Sequence, residues 1–575
     1  MIWWASQPGR ARAERAAIAE LEERSPWLAV EKWGFESDLL KVEFAIRHLD
    51  DETRLTLTYP SFFPASVPSV VPKENIRLSS HQWGKGGELC LEIRADNWDP
   101  AYTGAMMIQS AYGLLAGERP TDETTAEVPS AHRISQAQHV RGDRWRFLLS
   151  EGIETALRAL APGSHVEMEV AEHSHNRHWL VQITHLGPKD APIWSAETRI
   201  ADARQRFGFA IRLPEGVPLP SQLTSDLLSL AFKTLGLTEV AEKMIAEKSE
   251  VYALFIGYGA CRLFWCWDSG DKRTVSAYTR VDLPAPQPRL AAGYEVLAGK
   301  NIAIVGGGSM GSKIAISLAR SGVSEFVLVD EDILNPDNLV RNDLDGHAIG
   351  MHKVDGVAAR ILSINPAASL TLRRIKLGGQ ESAGSTDTAL VAIGGCDLII
   401  DATADPSVFN LCSAVARSEM KPMVWGEILA GGVGGFVVRA RPDHEPPPHA
   451  ARRQLSAWCD AQGVPWEGWA ANRYESEQND LPPLIADDAE VTVIAGHVTR
   501  FALDILLREE SEFPHSAYAI GLAQKWIFSG PFDTAPIDFQ AEGSWGPEVE
   551  SDAPGQLKVL VAELLSEIGE ASNEA

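Results

Sequence analysis

A glycine series after a short apolar strand carries the clearest chemistry in this 575-residue chain. Within Lys300–Pro366, the strand pattern Ile302–Val305 runs into Gly306, Gly308 and Gly311, spaced G-x-G-x-x-G. Glycine lets a backbone approach phosphate oxygens closely, and a helix starting there supplies free N–H groups and the positive end of its dipole. A second apolar strand ends on Asp330, 19 residues past Gly311, where a carboxylate can accept hydrogen bonds from a ribose. These features fit an NAD-dependent oxidoreductase as well as any other nucleotide enzyme. The continuation fits it less well. DEDILNPDNLVRND puts Asn338 and Arg341 three residues apart, IGMHK adds Lys353, and CDLIIDATAD ends a further strand on Asp401. Such residues have no packing reason to sit beside a sheet, and a dehydrogenase gives Arg341, Lys353 and Asp401 no joint role.

The series resembles the ThiF-type adenylating family, which includes the ubiquitin-activating enzymes. Its pattern is GxGxxG, an acid followed by N-L-x-R, G-x-x-K and a strand-end Asp, all present here. The resemblance implies a Rossmann-like domain that joins ATP to the C-terminal carboxylate of a protein as an acyl adenylate. Both reactants are anionic, so such a site needs cations and a metal. By resemblance, Arg341 and Lys353 neutralise the phosphates, Asp401 holds Mg2+, Asn338 orients the triphosphate and Asp330 binds the ribose. The family typically works as a homodimer, and the same is expected here.

A second reactive candidate lies near the N-terminus. Residues Arg10 to Glu23 have helical spacing, and WLAVEKWGF, LLKVEFAIRH and TRLTLTYP alternate as antiparallel strands do. SSHQWGKGGELCLEIRADNWDP follows, with Gly87 before Cys90, Trp98 eight residues after it and Pro100 two further on. This order is similar to the ubiquitin-conjugating fold around its active-site cysteine. One departure is that His81-Gln82 stands where that family carries His-Pro-Asn, and either residue is able to donate to an oxyanion. Cys90 reads as a buried apolar filler or, in its polar loop, as a nucleophile; the spacing favours the nucleophile.

The chain is 45% apolar, enough for sizeable cores, and carries a formal net charge of −26. That charge argues against nucleic acid and acidic membranes as partners. No run of 18 apolar residues occurs and the N-terminus lacks an apolar signal core, so a cytoplasmic protein is expected. The six cysteines form no C-x-x-C. Cys261, Cys266, Cys396 and Cys412 lie in apolar patterns and read as core. Cys459 falls in a stretch with little regular pattern, about 441–485, where ubiquitin-activating enzymes carry a thioester cysteine in a crossover loop. It is the candidate nucleophile there, with Ser456, Ser529 or direct transfer to Cys90 as alternatives.

The expected organisation is α/β and multidomain. An α+β ubiquitin-conjugating-like domain spans 1–150, an α+β connecting domain spans 151–296, and a Rossmann-like ThiF-type domain spans 297–575. In the connecting domain, WRFLLSEGIETALRALAPG reads as a helix and HVEMEVAEHSHNRHWLVQITHL as a hairpin. Joining the two resemblances implies a fused activating and conjugating enzyme, of the kind found in bacterial antiviral operons. Its substrate would be a ubiquitin-like protein or the C-terminus of a nucleotidyltransferase, and its acceptor a target-protein amine. The rivals are a scaffold that binds a ubiquitin-like protein without catalysis, the NAD-dependent oxidoreductase, and an adenylating sulfur-transfer enzyme, which the missing C-x-x-C pairs disfavour.

Overall fold

The alternating stretches marked as strands do form sheets, in two units, Met1–Ala285 and Pro286–Ala575. The structure, a computed structural model, describes every residue except 1, 75–77, 79–80, 84–86, 119–134, 197–199, 201–202, 247–248, 258–259, 270–271, 285–289, 430, 465–485, 548–551 and 572–575.

The first unit begins with the helix Pro8–Arg24, which buries Glu14, Ile18 and Leu21. It packs with a four-stranded antiparallel meander, Leu28–Glu36, Leu39–His48, Asp51–Thr58 and Ser69–Pro72. Ser37 and Asp38 both take positive φ at the first hairpin, the geometry that matches strand twist in a two-residue turn. The helix Gly104–Glu118 packs against the first helix and the sheet and completes this core. Three elements meet on the fully buried carboxylate of Glu14. It accepts from Tyr59 Oη at 2.8 Å and from the Gly104 N–H at 2.6 Å, and it pairs with Arg10 at 2.9 Å. A side chain at residue 104 would sit 2.1 Å from Tyr59 Oη, so glycine is obligatory there.

The rest of this unit is a closed barrel. Seven strands pair in the order 178–186, 145–150, 272–283, 260–269, 251–257, 204–212 and 165–175, and the last pairs back to the first. Alternate residues such as Phe147, Leu149, Val170, Ile183, Leu254 and Leu263 fill the inside. Their neighbours Phe209, Ile211, Phe255 and Phe264 face the helices Ser225–Thr234 and Thr238–Ala246. The hairpin expected in HVEMEVAEHSHNRHWLVQITHL is present, turning on Asn176 and Arg177. WRFLLS is a strand and not part of a helix; its Phe147 and Leu149 point inward at period two, and the helix starts only at Glu151.

The second unit is a doubly wound mixed sheet. Its strand order is 369–373, 325–329, 301–305, 398–401, 423–429, 434–440, 517–521, 534–537, with the first five parallel and the rest antiparallel. Helices Ser309–Arg320, Lys353–Ile364 and Asp488–Leu507 cover one face, and Ala383–Gly394, Pro406–Ser418 and Pro448–Gln462 the other. Asp487 and Glu490 form a capping box at the start of the long helix. No helix among the described residues is long and apolar enough to cross a membrane.

Removing Glu14 strands a buried phenol and a buried N–H, and leaves the Arg10 guanidinium with the Tyr102 carbonyl in place of its carboxylate. Glu14→Ala is expected to cost about 3 kcal/mol in urea unfolding of the first unit. Glu14→Gln, which still accepts one hydrogen bond, is expected to lose less.

Candidate active site

The order in which the chain adds parallel strands reverses between 301–305 and 398–401, and Val305 lies opposite Asp401 at their carboxyl ends. A crevice at such a switch point is where open α/β sheets bind ligands. The glycines that follow Val305 serve different ends. Gly306 has φ +96°, and a Cβ there would lie 2.9 Å from Thr403 Cγ2. A Cβ on Gly311 would fall 1.8 Å from the Gly306 carbonyl oxygen, so the helix can approach the turn only with glycine. A Cβ on Gly308 meets no protein atom within 4 Å. Gly308 is the N-cap of the helix Ser309–Arg320 and gives it no side-chain cap. The turn therefore leaves open space over uncapped helical N–H groups, a cradle suited to phosphate.

The acid and the lysine converge on this turn through Gly307, a position the motif leaves open. Its N–H donates to Asp330 Oδ2 at 2.6 Å, and a Cβ there would lie 3.2 Å from Lys353 Cβ. Asp330 Oδ1 accepts from the Asp332 N–H at 2.8 Å. Burial pushes the Asp330 carboxyl above its ordinary range, against the pull of the Gly307 N–H and Lys353. Lys353 is only 9% exposed and opens the helix Lys353–Ile364. A cation at the positive end of a helix is unfavourable on its own. It is held by Asp332, whose Oδ2 accepts from Nζ at 2.6 Å.

Asn338 and Arg341 sit on the short 3-10 helix Pro336–Val340 and at its end. Asn338 Oδ1 accepts from the Asn335 N–H at 3.0 Å, which leaves its amide NH2 as the group able to donate outward. The same loop is tied to the turn by Asn342, a buried residue whose Nδ2 donates to the Gly307 carbonyl at 3.2 Å. Nothing in the spacing of Asn342 marks it in the sequence.

Asp401 is 4% exposed, and its Oδ1 accepts from the Thr403 N–H at 2.9 Å and Oγ1 at 2.6 Å. Burial raises its pKa, opposed by those bonds and by the charge of Arg452. Arg452 comes from the helix Pro448–Gln462 and lies over the Phe409 ring at 4.3 Å. Sequence reading missed it because it falls in the stretch read as irregular. That reading is corrected for 448–462, which is helical from Pro448 onward with Ala451, Leu455 and Cys459 on its buried face; residues 465–485 lie outside the described residues.

The two candidate thiols lie in different units. Cys459 is 1% exposed in the core, and burial pushes its pKa up to about 12. A thiol in that setting is not a nucleophile until the helix is displaced. Cys90 is 6% exposed, and its N–H donates to the His81 carbonyl at 2.8 Å. Burial raises its pKa, and Glu88 and Glu118 add to the effect. The Gln82 side chain is spent on the backbone: Nε2 donates to the Gly87 carbonyl at 2.8 Å and Oε1 accepts from the Leu78 N–H at 2.6 Å. Trp98 Nε1 donates to the Pro64 carbonyl at 2.7 Å, which braces the segment after Cys90. Ser529 donates to Asp533 at 2.9 Å.

Residues 287–527 match the model of the ThiF family, so the second unit carries a ThiF-type domain. An uncharacterized protein of Sinorhizobium fredii, y4qC, is 31% identical over 160 residues, 26% of this chain and 27% of that protein. The adenylyltransferase and sulfurtransferase MOCS3 of Arabidopsis thaliana is 30% identical over 138 residues, 24% of this chain and 28% of that protein. The adenylyltransferase and sulfurtransferase UBA4 of Yarrowia lipolytica is 27% identical over 133 residues, 23% and 32% respectively. The chain thus spans about a quarter to a third of the length of these curated relatives. Among solved structures, E. coli MccB with ATP aligns at 14% identity and TM-score 0.33, over 44% of this chain and 67% of that one.

The glycines separate fold from binding. Gly308→Ala is expected to keep the wild-type thermal midpoint while weakening a fluorescent adenine nucleotide roughly tenfold or more, because its methyl enters the cradle and touches no protein atom. Gly311→Ala is expected to lower the midpoint as well.

Proposed function

We propose that the chain activates the C-terminal carboxylate of a partner protein by adenylation with ATP. The observation that carries this reading is the crevice in which an open glycine turn, a buried lysine at a helix N-terminus and a buried strand-end aspartate converge. A carboxylate must approach the α-phosphorus of ATP, and the two repel. Lys353 and Arg341 offset that repulsion, the Asn338 amide can donate to a phosphate oxygen, and Asp330 is set beside the turn to receive a ribose. Asp401 would hold Mg2+, which needs only one or two protein carboxylates when phosphates supply further oxygens and which would neutralise developing phosphate charge. The carboxylate oxygen bonds to phosphorus, pyrophosphate leaves, and an acyl adenylate remains.

The finer reading adds a thiol stage. A thiolate displaces AMP and keeps the acyl group activated as a thioester, which an amine of a target protein then displaces as an amide. Cys90 is the thiol from which that amide forms, reached through Cys459 or directly from the adenylate. The sealed position of Cys459 favours the direct route. The partner is a ubiquitin-like protein or a nucleotidyltransferase C-terminus, and the enzyme is a homodimer. Sulfur transfer, which stands in the names of MOCS3 and UBA4, is less favoured because no C-x-x-C occurs here. Gln82, spent on the backbone, is the observation that favours the scaffold reading of the N-terminal part.

ATP–pyrophosphate exchange tests the adenylation step. Arg341→Ala, Lys353→Ala and Asp401→Asn are each expected to lower exchange by about 100-fold or more. Asp401→Asn keeps an acceptor for Thr403 and removes a buried charge, so it is expected to raise the thermal midpoint without ligands. Wild-type exchange no greater than that of the Lys353→Ala variant, with every candidate partner, would overturn the reading. Cys90→Ala is expected to leave exchange intact and abolish the thiol-sensitive adduct; a persistent adduct that maps to Cys459 would restore the relay.

A further inference from the structure

The barrel of the first unit lies outside the ThiF match, and no part of the adenylation chemistry uses it. Its interior is filled by side chains over most of its length, as expected for about this number of strands. One end is covered by the helix Glu151–Ala159, whose Ile153 and Leu157 join the interior cluster. Beside that helix is a cavity of about 340 Å³, within the range of small-molecule sites. Ile256 and its cross-strand partner Cys261 form the inner wall, Leu157 and Leu213 continue it, and the exposed Val217 stands at the rim.

The charges around this wall are unequal. Glu154 is engaged twice, by Arg158 Nη2 at 2.6 Å and Arg280 Nη2 at 3.0 Å, and Arg280 also pairs with Asp282. Glu215 lies in an exposed loop. Arg212 is half-buried, and its Nη1 donates to the carbonyls of Arg158 and Leu160 at the end of the covering helix. It has no carboxylate partner among the described residues. The guanidinium of Arg212 thus borders an apolar wall with a helix C-terminus as its direct contact, while the acids of the lining are Glu154, already engaged, and Glu215, in the exposed loop. A cationic ligand would meet Arg158 and Arg212 with the nearest acid already taken. A neutral one would exclude water from Arg212 without supplying a counter-charge, which is costly.

We propose that this cavity binds a small organic anion, with its apolar body against Leu157, Leu213, Val217 and Ile256 and its acidic group on Arg212. The inference does not depend on the adenylation reading.

The test uses the full chain and two probes, anilinonaphthalene sulfonate and its uncharged counterpart N-phenyl-1-naphthylamine, titrated by fluorescence. The sulfonate is expected to saturate a site and bind roughly tenfold tighter than the neutral probe, the scale of one charge-assisted hydrogen bond. Octanoate is expected to displace it and octanol not. Ala260→Trp, at an exposed lining position, is expected to abolish binding of both probes with an unchanged thermal midpoint. Arg212→Gln is expected to erase the preference for the anion, and Arg212→Lys to keep it, which separates charge from helix capping. Equal affinity for both probes in the wild type, no saturable sulfonate binding, or sulfonate binding that survives Ala260→Trp would each overturn the proposal.

Discussion

The carbonyl oxygen of Gly306 occupies the place where a side chain on Gly311 would be. That contact draws the first helix of the second unit down onto the end of its central strand, and the geometry of the site follows from it. With the turn held so tightly, the Gly307 N–H is aimed at Asp330 and its carbonyl at Asn342. Lys353 packs against the same residue. One close approach between two backbone segments thus gathers side chains from three separate stretches of chain, Asp330, Asn342 and Lys353.

The site also departs from what folding alone would favour. Lys353 stands at the wrong end of a helix dipole, Asp401 is buried at a strand end with its pKa raised, and the helix after Gly308 begins without a side-chain cap. Each departure costs stability, and all three face one crevice. Phosphate charge and a divalent ion, as proposed for this crevice, would relieve each of these conflicts. Arg439, on another strand of the same sheet, behaves differently. Its guanidinium is buried but fully met by Glu445, Asp504 and the Phe513 carbonyl, a closed network that braces the fold and leaves nothing for a ligand.

The first unit holds a cysteine module and a barrel with separate cores. In the cysteine module, Gln82 spends its amide on the loop backbone before Cys90, which orders the chain around the thiol. His81, whose carbonyl receives the Cys90 N–H, is the remaining polar neighbour from the departed motif. In the barrel, closure pairs the first strand of the order with the last, so neither is left as an exposed edge.

By itself, the sequence determined the parts whose signal is local. Glycine spacing, the strand ending on Asp330, the capped helix from Asp488 and the hairpin at Asn176-Arg177 all follow from period, capping and turn chemistry within short windows. The tertiary structure alone decided what depends on distant pairing. Strand 145–150 has a helical pattern in isolation and is a strand because 279–283 and 179–182 lie on either side of it, and closure of the barrel needs the 165–175/178–186 hairpin to be joined at both edges by that strand and by four later ones, 204–212, 251–257, 260–269 and 272–283. Arg452 reaches Asp401 from a helix about fifty residues later, and Cys459 is sealed because that helix buries the face it sits on. Burial and long-range hydrogen bonds decide charge state and access, and neither is written in the neighbours of a residue.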